Sequence, residues 1–249
     1  MDRLRHDLGL RDLKKLPVER EWLSFPRLAQ HGQGFVEPLL ALIVSGGHTE
    51  LVLINDHLSY QRLGGTLDDA AGEAFDKVGR LLGFPYPGGP HVEQAARDGN
   101  PAAFSFPRAW LDGTWDFSFS GIKTAVLREV ETYFPKLDTV TERAPSGIPT
   151  EDLAASFQAA VVEVLVEKTA QAALESDART ILITGGVSAN LALRDAALQR
   201  VSEIPVHTPL LELCTDNAAM IAAAGHRRYV AGQRDGLQID VLPTWPLGQ

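Results

Sequence analysis

Residues 39–54 read LLALIVSGGHTELVLI: two apolar runs, 39–44 and 51–54, each suited to a buried strand, joined through Ser45-Gly46-Gly47-His48-Thr49. A glycine pair between two strands has two physical readings. It supplies the positive φ that a tight hairpin turn needs. Alternatively it leaves backbone N–H groups uncovered, and uncovered N–H groups take phosphate or carboxylate oxygens. On this stretch alone both readings stand, and the surrounding chain has to separate them.

The bulk sequence narrows the field. At 249 residues, 45% hydrophobic and 22% charged, the chain is long enough for one large domain or two small ones. No apolar run approaches the ~18 residues of a membrane helix, and the first twenty residues are densely charged without an apolar signal core. Neither a membrane span nor a leader is expected. The single cysteine, Cys214, excludes an internal disulfide framework and a cysteine-rich zinc site, which points to the cytoplasm. A net charge of −9 gives no support for nucleic-acid binding through a basic face, though a local patch or a partner subunit could still supply one.

Downstream of the opening hairpin, YQRLGG (60–65) suggests a third strand. In TLDDAAGEAFDKVGRLLGF, Ala71, Phe75, Val78 and Leu82 recur at helical spacing, Asp68 or Asp69 can cap the start, and Gly83 suits the end. The opposite face carries Asp69, Glu73 and Asp76. YPGGP (86–90) reads as a rigid turn, 101–121 as an irregular aromatic stretch, and Lys123 as the start of a further helix. After a polar loop at about 136–150 come a long helix from Asp152, the strand RTILIT, the turn GGVSAN, the helix LALRDAAL, a short strand near VHTP and a last helix over 216–231. This order is α/β, with mostly buried strands.

GGVSAN (185–190) lies between a strand and a helix, where amides and the positive helix end converge, so it suits an anion or nucleotide. It matches neither a Walker loop nor G-x-G-x-x-G, and Asn190 has two roles open to it, ribose contact or helix cap. Asp216 is a helix cap or a metal ligand. The histidines are His6, His31, His48, His57, His91, His207 and His226, and no two stand three to five apart, so a helical H-x-x-x-H pair is absent. The stripe of Asp69, Glu73 and Asp76 is a solvated face or a set of acceptors for sugar hydroxyls or an amine. Lys123 neutralises a phosphate or decorates a helix start, the second being favoured. No third residue orients Ser45 and His48, so a hydrolase triad is not expected.

VSGGHTELV, LGGTLDDAAGEAFDKVGRLLGFPYPGGP, FSFSGIKTAV, ITGGVSAN, CTDNAAMIAAAG and the closing PTWPL, in this order over residues 38–247, resemble the tRNA threonylcarbamoyladenosine transferase family, formerly labelled O-sialoglycoprotein endopeptidase. The resemblance implies an actin-like, sugar-kinase-like ATPase fold, with 37–249 forming mainly the second of its usual two domains and 1–36 an atypical N-terminal segment. It implies that Ile43, Val44, Ser45, Gly46 and Gly47 form a phosphate-type loop, that Asp76, Gly89 and Asn190 bind substrate, and that Asp216 helps to hold one divalent metal per subunit, with iron the expected ion. The implied reaction transfers threonylcarbamoyl from threonylcarbamoyl-AMP to N6 of the adenosine beside the anticodon of tRNA. The metal would serve as Lewis acid and the glycine-loop amides would hold the phosphate. An auxiliary paralogue and an ATPase are the implied partners.

Relative to the family, this sequence lacks the upstream domain and the H-x-x-x-H metal pair. His31 stands near the expected place without a partner. A half-protein, a misplaced start codon and a frame error all account for the short upstream segment, and its composition favours the last two. A non-catalytic scaffold of the modification complex is the alternative function, and a sugar kinase or ATPase of the same fold is a third. A domain built to face another should also expose apolar surface, so the chain is expected to dimerise or to be poorly soluble.

Overall fold

Two strands rich in β-branched and leucine side chains, read from 39–44 and 51–54, form the middle of one five-stranded sheet. The computed structural model describes residues 36–56, 58–133 and 147–238. His31, nearly all of the segment 1–36, most of the polar loop at 136–150 and the closing PTWPL lie outside the described residues. The strands are β1 (Leu39–Val44), β2 (Thr49–Asp56), β3 (Ser59–Gly65), β4 (Thr180–Thr184) and β5 (Val206–His207), ordered β3-β2-β1-β4-β5. The central strand β1 runs antiparallel to β2 and parallel to β4, with Val44 opposite Thr49 and Ile43 opposite Thr184. That register brings the turn after β1 and the turn after β4 to the same end of the sheet, where ligands bind in open α/β folds.

The helices are α1 (Ala71–Leu81), α2 (Gly88–Ala96), α3 (Ser120–Tyr133), α4 (Thr150–Glu175), α5 (Leu191–Arg200) and α6 (Ala218–Val230). The periodic residues Ala71, Phe75, Val78 and Leu82 are all buried against one face of the sheet with Leu40, Leu42, Val44 and Leu51. Gly83 ends α1 with a left-handed φ of 81°. The long helix α4 is buried on nearly every side, because it packs between α2 and α5 and lies over the sheet. Phe157 on α4 meets Phe75 on α1 edge-on, with ring centroids 5.1 Å apart.

Three local expectations are corrected. Neither Asp68 nor Asp69 caps α1: its cap residue is Ala70, and the turn between β1 and β2 serves instead, Thr49 Oγ1 accepting from Ala71 N–H and Ser45 O from Gly72 N–H. YPGGP is not only a turn, because α2 begins inside it. Two glycines and a proline are weak helix formers, but Asp76 Oδ1 accepts from the first amides of α2, Gly88 (2.8 Å) and Gly89 (3.3 Å), and so supplies the missing cap from a neighbouring helix. Asn217, not Asp216, caps α6, its side chain accepting from Met220 N–H.

Candidate functional site

The turn Ser45–His48 answers the question its glycines raise. Ser45 Oγ accepts from the His48 amide at 3.0 Å, and Ser45 N–H donates to His48 O at 2.8 Å, so a serine closes the turn. Neither Gly46 nor Gly47 has a positive φ. A Cβ at either would meet nothing within 4 Å. The turn therefore does not need glycine for its conformation. What glycine leaves at Gly46 is open space beside an uncovered backbone, and that space is the wall of a cavity of about 270 Å3. This lies near the lower end of small-molecule pockets, which start at roughly 300 Å3.

Four segments build the cavity. From the first turn comes Gly46, from α1 come Gly72, Phe75 and Asp76, from the PGGP region and α2 come Tyr86, Gly89 and Glu93, and from the turn after β4 come Gly186 and Asn190, with Thr215 at one side. Other glycines in these loops serve packing. A Cβ on Gly72 would lie 2.6 Å from Ser45 O, and one on Gly185 would lie 2.4 Å from Val44 O. Gly185 also has a left-handed φ of 96°. Each loop thus combines glycines that let backbones touch with glycines, Gly46 and Gly186, that leave the cavity open.

The polar groups of the cavity are structurally occupied on one side. Asp76 uses Oδ1 on the α2 amides, while Oδ2 makes no hydrogen bond among the described residues. Asn190 is 7% exposed and caps α5 while lining the cavity: Oδ1 accepts from Leu193 N–H, and its amide nitrogen donates to Gln158. Glu93, which sequence reasoning missed, accepts from the first amide of α5 and pairs with Arg97 at 3.7 Å. The only sequence signal for it is a carboxylate one helical turn beyond PGGP. Tyr86, 86% exposed at the mouth, was likewise missed.

The remaining candidates lie elsewhere. Val44 is buried in the core, Ile43 lies in a smaller apolar cluster with Leu39, Ala41 and Val52, and Ser45 and Gly47 stay within the turn itself. The acidic stripe divides: Lys77 pairs with both Asp69 (2.6 Å) and Glu73 (2.9 Å), Lys123 approaches Asp69 at 3.7 Å, and only Asp76 reaches the cavity. Lys77 stays protonated above its ordinary range because both carboxylates accept from it. A wider groove of about 600 Å3 runs between α2, α4 and α5, but alanines and valines dominate its walls. Its charged residues Glu163, Glu167 and Arg200 are paired, Glu163 with Arg108 and Glu167 with Arg200. Lacking convergent polar groups, it is not the candidate site.

With this geometry in view, a family profile described as tRNA N6-adenosine threonylcarbamoyltransferase matches residues 23–223. The chain belongs to that family. A relative of that name from Thermomicrobium roseum is 52% identical, the match covering 92% of this chain and 66% of the relative. One from Dehalococcoides mccartyi is 52% identical over 83% of this chain and 59% of the relative, and one from Geobacillus kaustophilus is 50% identical over 84% and 60%. The chain spans less than two thirds of the length of these relatives. Among solved structures, full-length HypF has a similar fold, with a TM-score of 0.58 at 12% identity over 78% of this chain and 40% of that one. That likeness is one of fold, a mixed α/β architecture.

The metal expected for this family does not fit the described residues. Asp216 is exposed, and no group of three or more His, Cys, Asp or Glu among the described residues is placed to hold an ion. One carboxylate alone does not make up the coordination set of a transition metal. No helix among the described residues is long and apolar enough to cross a membrane.

Proposed function

We propose that this chain provides the adenylate-holding part of an enzyme that transfers threonylcarbamoyl from threonylcarbamoyl-AMP to N6 of the adenosine beside the anticodon of tRNA. The observation that carries the reading is the convergence of Gly46, Asp76, Gly89 and Asn190, from four separate segments, on one cavity. Family membership gives the reaction its name.

The chemistry of the walls suits an adenylate. The uncovered amide at Gly46 favours a phosphate. The free oxygen of Asp76 and the carboxylate of Glu93 are acceptors suited to ribose hydroxyls. Tyr86 offers an aromatic face to a base at the rim. Fixed donors around the phosphate would stabilise the charge that develops as AMP leaves. Transfer to the N6 amine is direct acyl substitution: the N6–C bond forms, the C–O bond to the phosphate breaks, AMP departs with the electron pair, and N6 gives up one proton to the departing phosphate or to water. No enzyme nucleophile is required.

The expected divalent metal, iron by resemblance, would take Asp216 as one ligand and its others from outside the described residues. tRNA, an auxiliary paralogue, an ATPase and a cytoplasmic setting complete the proposal. The second reading is a non-catalytic binding subunit of the same complex; among the described residues Asp216 belongs to no group of three metal-ligating side chains. Incubating the purified chain with threonylcarbamoyl-AMP and unmodified tRNA, with and without the auxiliary proteins, separates the two. Formation of modified adenosine supports the transferase. Retention of the adenylate with no modified adenosine under any of these conditions supports the binding subunit.

A further inference from the structure

We propose that Arg194 is a positioning residue that ties the GGVSAN turn to the segment 209–215 and so sets the width of the adenylate cavity. The side chain is 6% exposed. Its Nε donates to Ser188 O at 2.6 Å, inside the turn that carries Gly186 and Asn190. One terminal nitrogen donates to Pro209 O at 2.8 Å and to Cys214 Sγ at 3.1 Å, on the segment that delivers Thr215 to the cavity and leads into Asp216. Among the described residues, no other hydrogen bond joins these two segments.

The chemistry singles out arginine. Among the described residues no carboxylate pairs with its guanidinium, and backbone oxygens and a thiol alone accept from it. Stability by itself does not call for such an arrangement, since an apolar side chain of similar length fills the space without burying a charge. A planar fork that reaches two segments at once does explain it, and a lysine, a point donor on a flexible stem, cannot reproduce that reach. Little else fastens the second segment: Leu210, Leu211, Thr215 and Asp216 are exposed, and no residue of the following helix α6 is buried. Cys214, 5% exposed, is its main anchor, and Arg194 holds that anchor.

The inference rests on the adenylate reading for its ligand, but its test does not depend on it. Hydrogen exchange of the full chain is compared for wild type, Arg194→Lys and Arg194→Met, together with calorimetric titration of AMP. The expected result is amide exchange at least tenfold faster across 209–217, with β1 and β4 unchanged, and an AMP dissociation constant raised tenfold or more in both variants. Unchanged exchange at 209–217 overturns the inference, and so does a general loss of protection in both variants, which would make Arg194 an ordinary core residue. Unaltered AMP affinity beside loosened exchange overturns the link to the cavity. If folded wild type does not bind AMP, the adenylate reading fails, and exchange at 209–217 alone decides whether Arg194 is the tie.

Discussion

At the residue scale, Gly46 and Tyr86 separate ligand binding from stability. Because a side chain at position 46 has room and no adverse φ, Gly46→Val should leave the melting temperature within about 2 °C, a change of no more than about 1 kcal/mol for a chain of this size, while obstructing the cavity. Gly72→Ala should do the opposite. Its Cβ meets the Ser45 carbonyl, so it should cost about 1–3 kcal/mol in thermal unfolding. Tyr86→Ala, at a position already 86% exposed, should leave stability nearly unchanged and weaken a stacked base by about 1 kcal/mol or more in a binding titration. Asp76, Gly89 and Asn190 could be picked from the sequence by motif, but the motif does not tell that Asp76 and Asn190 are also caps, since the amides they hold belong to other segments. Glu93 and Tyr86 were not picked out, because in sequence one looks like a solvated helix charge and the other like a turn residue.

At the element scale, Asp68 belongs to α3 rather than to α1. Its carboxylate accepts from the hydroxyls of Ser118 and Ser120 and from the amides of Phe119 and Ser120, which sit at the start of α3. Burial alone would raise its pKa, but those four donors outweigh it and hold the carboxyl below its ordinary value. A depressed folded-state pKa means that the stabilisation is complete above the unfolded carboxylate pKa of about 3.9 and is lost as pH falls through the lower folded value. Asp68→Ala should therefore cost about 1 kcal/mol near neutrality, and the difference from wild type should shrink as unfolding is followed below pH 4. The strands at 39–44 and 51–54, the helix at 71–81 and the long helix after 150 were legible because continuous apolar runs mark the first two and helical spacing the others. Helix α2 was not, because its first residues disfavour helix and its cap lies twelve residues upstream in sequence, on α1.

For the whole molecule, the sheet register is what gathers the site. β1 and β4 run parallel, so the two glycine turns emerge side by side. One end of the described chain is left without a partner: α6 buries no residue and exposes Met220 (45%), Ile221 (67%), Tyr229 (58%) and Val230 (69%). Such a surface favours association, and sedimentation of the chain should show dimers or larger species that dissociate when Ile221 and Val230 are both replaced by serine. A monomer at all concentrations would count against this. Since α6 contributes nothing to the described core, those replacements should leave the unfolding temperature unchanged.

The cavity itself is best tested by calorimetric titration of AMP into wild type and Gly46→Val. Wild type should bind AMP, and the variant, with an unaltered melting temperature, should bind at least tenfold more weakly. Equal affinity for AMP in the two proteins, or no binding by folded wild type, would contradict the assignment of this cavity to the adenylate.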